Sequence, residues 1–130
     1  MRVIYRDENE SGDTVRTGEL NLGSATVSLR DLLRARIVAD HESFDPAVDD
    51  IYRGLVAPLS VEEVGDELVI GTPPNRDLEA EIEYAVAATE AGDLVARVDG
   101  VALEDDAAAV TVTEDSTVVF VSFVLLVLTH

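Results

Sequence analysis

The sequence predicts an α+β fold, and three observations carry that expectation. Two alternating, strand-like stretches open the chain. One amphipathic helix follows them directly. The last third returns to strands and ends in a long apolar run. This last third, residues 94–130, organises the rest. It holds a strand with an Asp99-Gly100 turn, an acidic loop, and a segment from Val118 to Leu128 that is apolar except at Ser122.

Length and composition set the bounds. At 130 residues the chain is expected to form a single domain, 1–130, with a core that needs no covalent staple. Cysteine is absent, which excludes disulfides, a thiolate nucleophile and a cysteine zinc site. Acidic residues number 27 against 9 basic ones, all of them arginine, for a net charge of -18. Self-repulsion on this scale opposes compaction. Salt near 1 M would shrink the screening length to roughly 3 Å, so the composition points to a halophilic or high-GC source. No basic stripe is available to neutralise phosphates, which disfavours nucleic acid as a partner. No apolar run reaches the roughly 20 residues a spanning helix needs. The first residues are polar and acidic rather than leader-like. A soluble cytoplasmic protein with no membrane partner is expected.

Residues 2–7 alternate and predict a first strand with Val3 and Tyr5 on one face. The cluster 9–13 (NESGD) is a turn, and 14–22 predicts a second strand weakened by Gly18. Ser28 opens a helix to about Glu42, with Ser28 and Asp31 placed as a capping box. Leu29, Leu32, Leu33 and Ile37 form its apolar stripe, while Arg30, Asp31 and Arg34 face away. His41 falls near the helix end, where a cation meets the helix dipole favourably.

Residues 43–76 are punctuated by Pro46, Gly54, Pro58, Gly65, Gly71, Pro73 and Pro74. Within them Glu67–Ile70 predicts a short strand. Tyr52 and Arg53, beside Gly54 and Leu55, suit either a binding loop or an aromatic plug under a loop. Asp77 caps a second helix over 78–91 with Leu78, Ile82, Ala85, Val86 and Thr89 on one face, and Gly92 closes it. Glu79, Glu81, Glu83 and Glu90 are expected mainly on the wet side, as a solvated face rather than a metal site. Ala109–Val112 predicts a short strand, and Thr117–Leu128 the final one.

The order strand, strand, helix, strand, short strand, final strand resembles the β-grasp (ubiquitin-like) fold. Val98-Asp99-Gly100 resembles the Val-Asn-Gly turn of ThiS/MoaD-type sulfur carriers. Glu114-Asp115-Ser116-Thr117-Val118 resembles the turn before their last strand, and Ala25–Leu33 their entry into the first helix. The resemblance covers residues 1–42 and 93–130, with 43–92 as a helical insertion after the first helix. It implies a mixed sheet in which the last strand lies centrally and parallel to the first. It also implies a C-terminal diglycine that an adenylating enzyme activates. Leu128 and Thr129 stand where those glycines belong, and no Gly-Gly occurs anywhere in the chain. Only glycine allows the backbone approach such activation needs, so the tail departs from the carriers.

A strand covered on one side alternates, and Val118–Leu128 does not. Both of its faces should therefore be covered. The inserted helix 78–91 is expected on the face opposite the first helix. The far end, Leu125, Leu126 and Leu128, is expected to meet another protein or a second copy of the chain, or to pair with Glu67–Ile70. The functional expectation is a non-catalytic protein-interaction module without cofactor or metal, with Tyr52, Arg53, Leu55, Leu125, Leu126 and Leu128 as contact residues. One alternative is a carrier activated at its C-terminus. Another is a small carboxylate-dependent enzyme around Asp49, Asp50, Tyr52 and Arg53, the compact polar cluster of the chain.

Overall fold

In the computed structural model the residues described are 1–43, 55–58, 61–64, 67–70, 78–103, 109–123 and 127–128. The elements run β1 (Arg2–Glu8), β2 (Thr14–Asn21), β3 (Thr26–Ser28), α1 (Leu29–Ser43), β4 (Ala57–Pro58), β5 (Val61–Val64) and β6 (Glu67–Ile70). Then follow α2 (Leu78–Ala91), β7 (Leu94–Val98), β8 (Val101–Ala102), β9 (Ala109–Thr111), β10 (Thr117–Ser122) and β11 (Val127–Leu128). Five of them form a mixed sheet in the order β2-β1-β10-β7-β8. β10 is central and runs parallel to β1, while the other neighbours in this sheet are antiparallel. The fold is α+β, as the element pattern predicts.

Local chemistry sets the connections. Asn9 Oδ1 accepts the N–H groups of Ser11 and Asp13, both at 3.0 Å, and so shapes the turn between β1 and β2. Gly18 does more than weaken β2. It sits opposite Tyr5, and a Cβ there would lie 2.5 Å from the Tyr5 ring. The missing side chain is the seat of that ring. Ser28 and Asp31 close the capping box reciprocally, at 3.1 Å and 2.9 Å. Helix α2 ends in a Schellman motif: Asp93 N–H reaches Ala88 O at 2.9 Å and Gly92 N–H reaches Thr89 O at 3.2 Å, with Gly92 at φ 81°. Asp99 and Gly100 both adopt positive φ, the geometry a tight β7–β8 hairpin requires. Asp99 also accepts bonds from Ser116 Oγ (2.9 Å) and Thr117 N–H (3.0 Å). The two turns that resemble carrier motifs are thereby joined to each other.

Three expectations need correction. The second helix does not cover the opposite face of the sheet. Its Ile82, Ala85, Val86 and Ala88 enter the same buried cluster as Leu29, Leu32, Leu33 and Ile37 of α1 and the inward residues Val3, Tyr5, Leu94, Ala96, Val98, Val118 and Phe120. Arg30 pairs with Glu83 and Arg34 with Glu79, so the two helices share one side. The reason is the apolar stripe of α2, which is buried against that of α1 and the inward side of the sheet, and the exposed ion pairs only accompany this packing.

The final strand does not continue to Leu128. Its neighbours run out at Val121, opposite Glu8, and at Ser122, opposite Leu94. The chain bends at Phe123, whose N–H donates to Asp93 O at 2.9 Å. Finally, Glu67–Ile70 does not pair with the tail. It pairs antiparallel with Val61–Val64, and Val127–Leu128 pairs parallel with Ala57–Pro58 instead.

Candidate functional site

A buried cluster of bonded polar side chains lies under β1. Arg36 sits on the stripe of α1 that otherwise carries leucines, and its side chain is 0 % exposed. A buried charge needs partners, and it has them. Nη2 bonds Asp7 Oδ2 at 2.7 Å and Nη1 bonds the other Asp7 oxygen, a bidentate fork. Nε bonds Asp40 Oδ1 at 2.9 Å. The guanidinium carbon lies 4.2 Å from the Tyr5 ring centre and 5.1 Å from that of Phe120. Burial works against the Arg36 charge, but the bond to Asp7 and the charges of Asp40 and Asp7 prevail and raise its pKa above the ordinary value. Burial also raises the pKa of Asp40, opposed by Arg36 and by the N–H of Leu55. Burial raises Tyr5 as well, against the pull of Arg36.

The cluster fastens a distant part of the chain. Asp40 Oδ2 accepts the Leu55 N–H at 2.8 Å in a buried setting. Two residues later the chain enters β4, which pairs with β11 near the end of the sequence. A continuous relay therefore runs from Asp7 through Arg36 and Asp40 to Leu55 and on to the tail. An open cleft of about 400 Å³ lies beside it, bordered by Asp7, Arg16, Leu55, Phe120 and Ser122.

The expected contact residues fall as follows. Leu55 is buried, which corrects its reading as an exposed contact: its side chain joins the core and its N–H is held by Asp40. Leu128 lies in β11 with its backbone paired to Pro58. Tyr52, Arg53, Leu125 and Leu126 lie outside the described residues, as do Asp49 and Asp50. One side chain departs from the pattern reading. Glu81 is buried rather than wet, and its carboxylate lies 2.6 Å from His41 Nε2. His41 thus meets a partner on the other helix. Arg36 and Asp40 were missed altogether. Their i, i+4 spacing within the leucine stripe is the signal that identifies them.

The opposite face of the sheet has a different character. Outward residues can be followed from the register. Thr17, Arg6, Val119, Arg97 and Ala102 make one row across all five strands. Glu19, Ile4 and Thr117 make the next, and Glu8, Val121 and Val95 a third. Val119 and Val121 are 8 % and 4 % exposed, although neither belongs to the main core cluster. Long flanking side chains can cover such positions with their aliphatic stems. Ile4, by contrast, is 56 % exposed in the middle of β1. Neither helix reaches it, since both pack on the other side.

Among the described residues no group of three or more His, Asp or Glu side chains is gathered as a metal ion would require, and no helix is long and apolar enough to cross a membrane. No family model, no curated protein and no solved structure matches this chain.

Proposed function

We propose that this chain is a non-catalytic β-grasp protein of ubiquitin-like type that works as a protein-interaction module. The observation that carries the reading is Ile4, 56 % exposed in the middle of β1 on the sheet face away from both helices. In this reading Ile4 is the apolar contact and the arginines beside it on the same face are its polar border. The β-grasp reading is supported by the parallel β1–β10 pair, the crossing helix α1 and the Asp99-Gly100 hairpin. In this reading the 55–58 segment and the tail serve as scaffold, held by Asp40 and by the β4–β11 pairing.

The test is site-specific photo-crosslinking in the source cells. A benzophenone side chain replacing Ile4 should yield a discrete protein adduct. The same group at the exposed Glu90 of α2 should not. Absence of any adduct at position 4 overturns the reading.

The second reading, a carrier activated at its C-terminus, is opposed by the tail's engagement in a strand ladder with Ala57–Pro58. Incubation with an adenylating enzyme, ATP and a sulfur donor should leave the intact mass unchanged. A thiocarboxylate mass shift would reinstate the carrier.

A further inference from the structure

We infer that the partner taken by the sheet face around Ile4 is an acidic protein segment with an apolar centre; this rests on the interaction reading above. The inference comes from where the arginines go. The chain has three carboxylates for every arginine, so a solvated arginine has ample chance of a carboxylate neighbour. On the helix side that chance is taken: Arg30 pairs with Glu83, Arg34 with Glu79, and Arg36 with Asp7 and Asp40.

The sheet face differs. Arg2, Arg6 and Arg97 all project from it, by the alternation of β1 and β7. Arg6 meets Glu8 at a loose 3.4 Å. Arg2 and Arg97 form no ion pair with any described residue. Only Glu8 and Glu19 stand among them in the outward rows. Among the described residues this face therefore carries three arginines against two glutamates, in a protein whose carboxylates outnumber its arginines three to one.

The arrangement has a shape as well as a sign. Arg6 and Arg97 flank Val119 in one row, two strand spacings or about 10 Å apart. Arg2 lies four residues back along β1, past Ile4, at about 13 Å from Arg6. The exposed Ile4, with Arg2 and Arg6 on either side of it along β1, fits a segment whose apolar side chains are bordered by carboxylates, because arginine binds carboxylates by paired hydrogen bonds. The net charge of -18 repels acidic segments everywhere else on the molecule, which confines them to this face.

A display library of random peptides, selected on the intact protein, tests this. Selection in about 0.5 M salt limits long-range repulsion while leaving contact pairs intact. Peptides that also bind Ile4→Asp are removed by counter-selection. The expected survivors are rich in Asp and Glu around apolar residues. They should bind the double variant Arg2→Glu/Arg97→Glu more than about tenfold more weakly. Circular dichroism and urea titration check that both variants fold. Acidic peptides that bind the double variant as well as wild type overturn the inference, as do survivors that are neutral or basic. In both cases the face still docks a peptide and the interaction reading stands. If no peptide depends on Ile4, the interaction reading falls together with the inference.

Discussion

The two faces of the central sheet treat arginine in opposite ways. Beneath the helices, Arg36 is removed from water, forked onto Asp7, bonded to Asp40 and set against the rings of Tyr5 and Phe120. On the open face, Arg2 and Arg97 stand without an ion pair among the described residues, around an exposed Ile4. A buried charge derives its place from its partners, and losing one partner strands the others. A solvated arginine contributes little to folding and is free to recognise something else. The difference separates a residue that holds the molecule together from residues that project outward.

The largest expected effect comes from breaking the buried side. Arg36→Met leaves Asp7 and Asp40 without their cation and should cost about 3–5 kcal/mol in urea unfolding. Arg97→Met on the open face should change stability by less than about 0.5 kcal/mol. Replacing the whole set, as Asp7→Asn/Arg36→Met/Asp40→Leu, should recover much of the loss, because a well-packed apolar set can substitute for a buried ion cluster. Equal costs for Arg36→Met and Arg97→Met would remove the contrast.

Asp40→Asn sharpens the role of the relay. One Asp40 oxygen serves Arg36 Nε and the other the Leu55 N–H. An amide offers a single acceptor oxygen, so one donor is left unmet at about 1–3 kcal/mol. Hydrogen exchange should accelerate first at residues 55–58 and 127–128, ahead of β1 and β10. Uniform acceleration would deny Asp40 its fastening role.

Gly18→Ala should cost about 1–3 kcal/mol by overpacking. The new methyl meets the Tyr5 ring, which Arg36 prevents from moving aside. Gly18→Ala combined with Tyr5→Leu should lose less than the sum of the two single changes, measured in a double-mutant cycle.

The pH dependence is smaller and has a definite sign. Asp40 is raised in the folded protein above the ordinary 3.8, so the folded state takes up this proton before the unfolded state does. Its contribution is complete below the unfolded value and is lost as pH rises through the folded one. The stability gap between wild type and Asp40→Asn should therefore widen as pH falls between those two values. A gap that narrows there contradicts the burial of this carboxylate. Least of all, exchanging Arg34 and Glu79 for neutral residues should leave urea midpoints almost unmoved, with any change vanishing in high salt.

The elements themselves are determined by short-range pattern. Alternation marks β1, the leucine stripe with Ser28 and Asp31 marks α1, Gly92 closes α2, and Asp99-Gly100 turns the β7–β8 hairpin. Each of these depends on neighbours within a few residues, which a sequence displays directly. The apolar run after Thr117 likewise foretells that β10 is buried on both faces, which holds up to Val121.

What the sequence does not display is which surfaces meet. The side of the sheet that α2 chooses, the burial of Glu81 against His41, the fork of Arg36 on Asp7 and the pairing of β11 with β4 all join residues far apart in the chain. Charge on a helix reads as wet until a partner from another element neutralises it, and only the tertiary structure supplies that partner. The same holds for the open face. Arg2, Arg6 and Arg97 are scattered in sequence, and only the register of the strands gathers them around Ile4 and Val119.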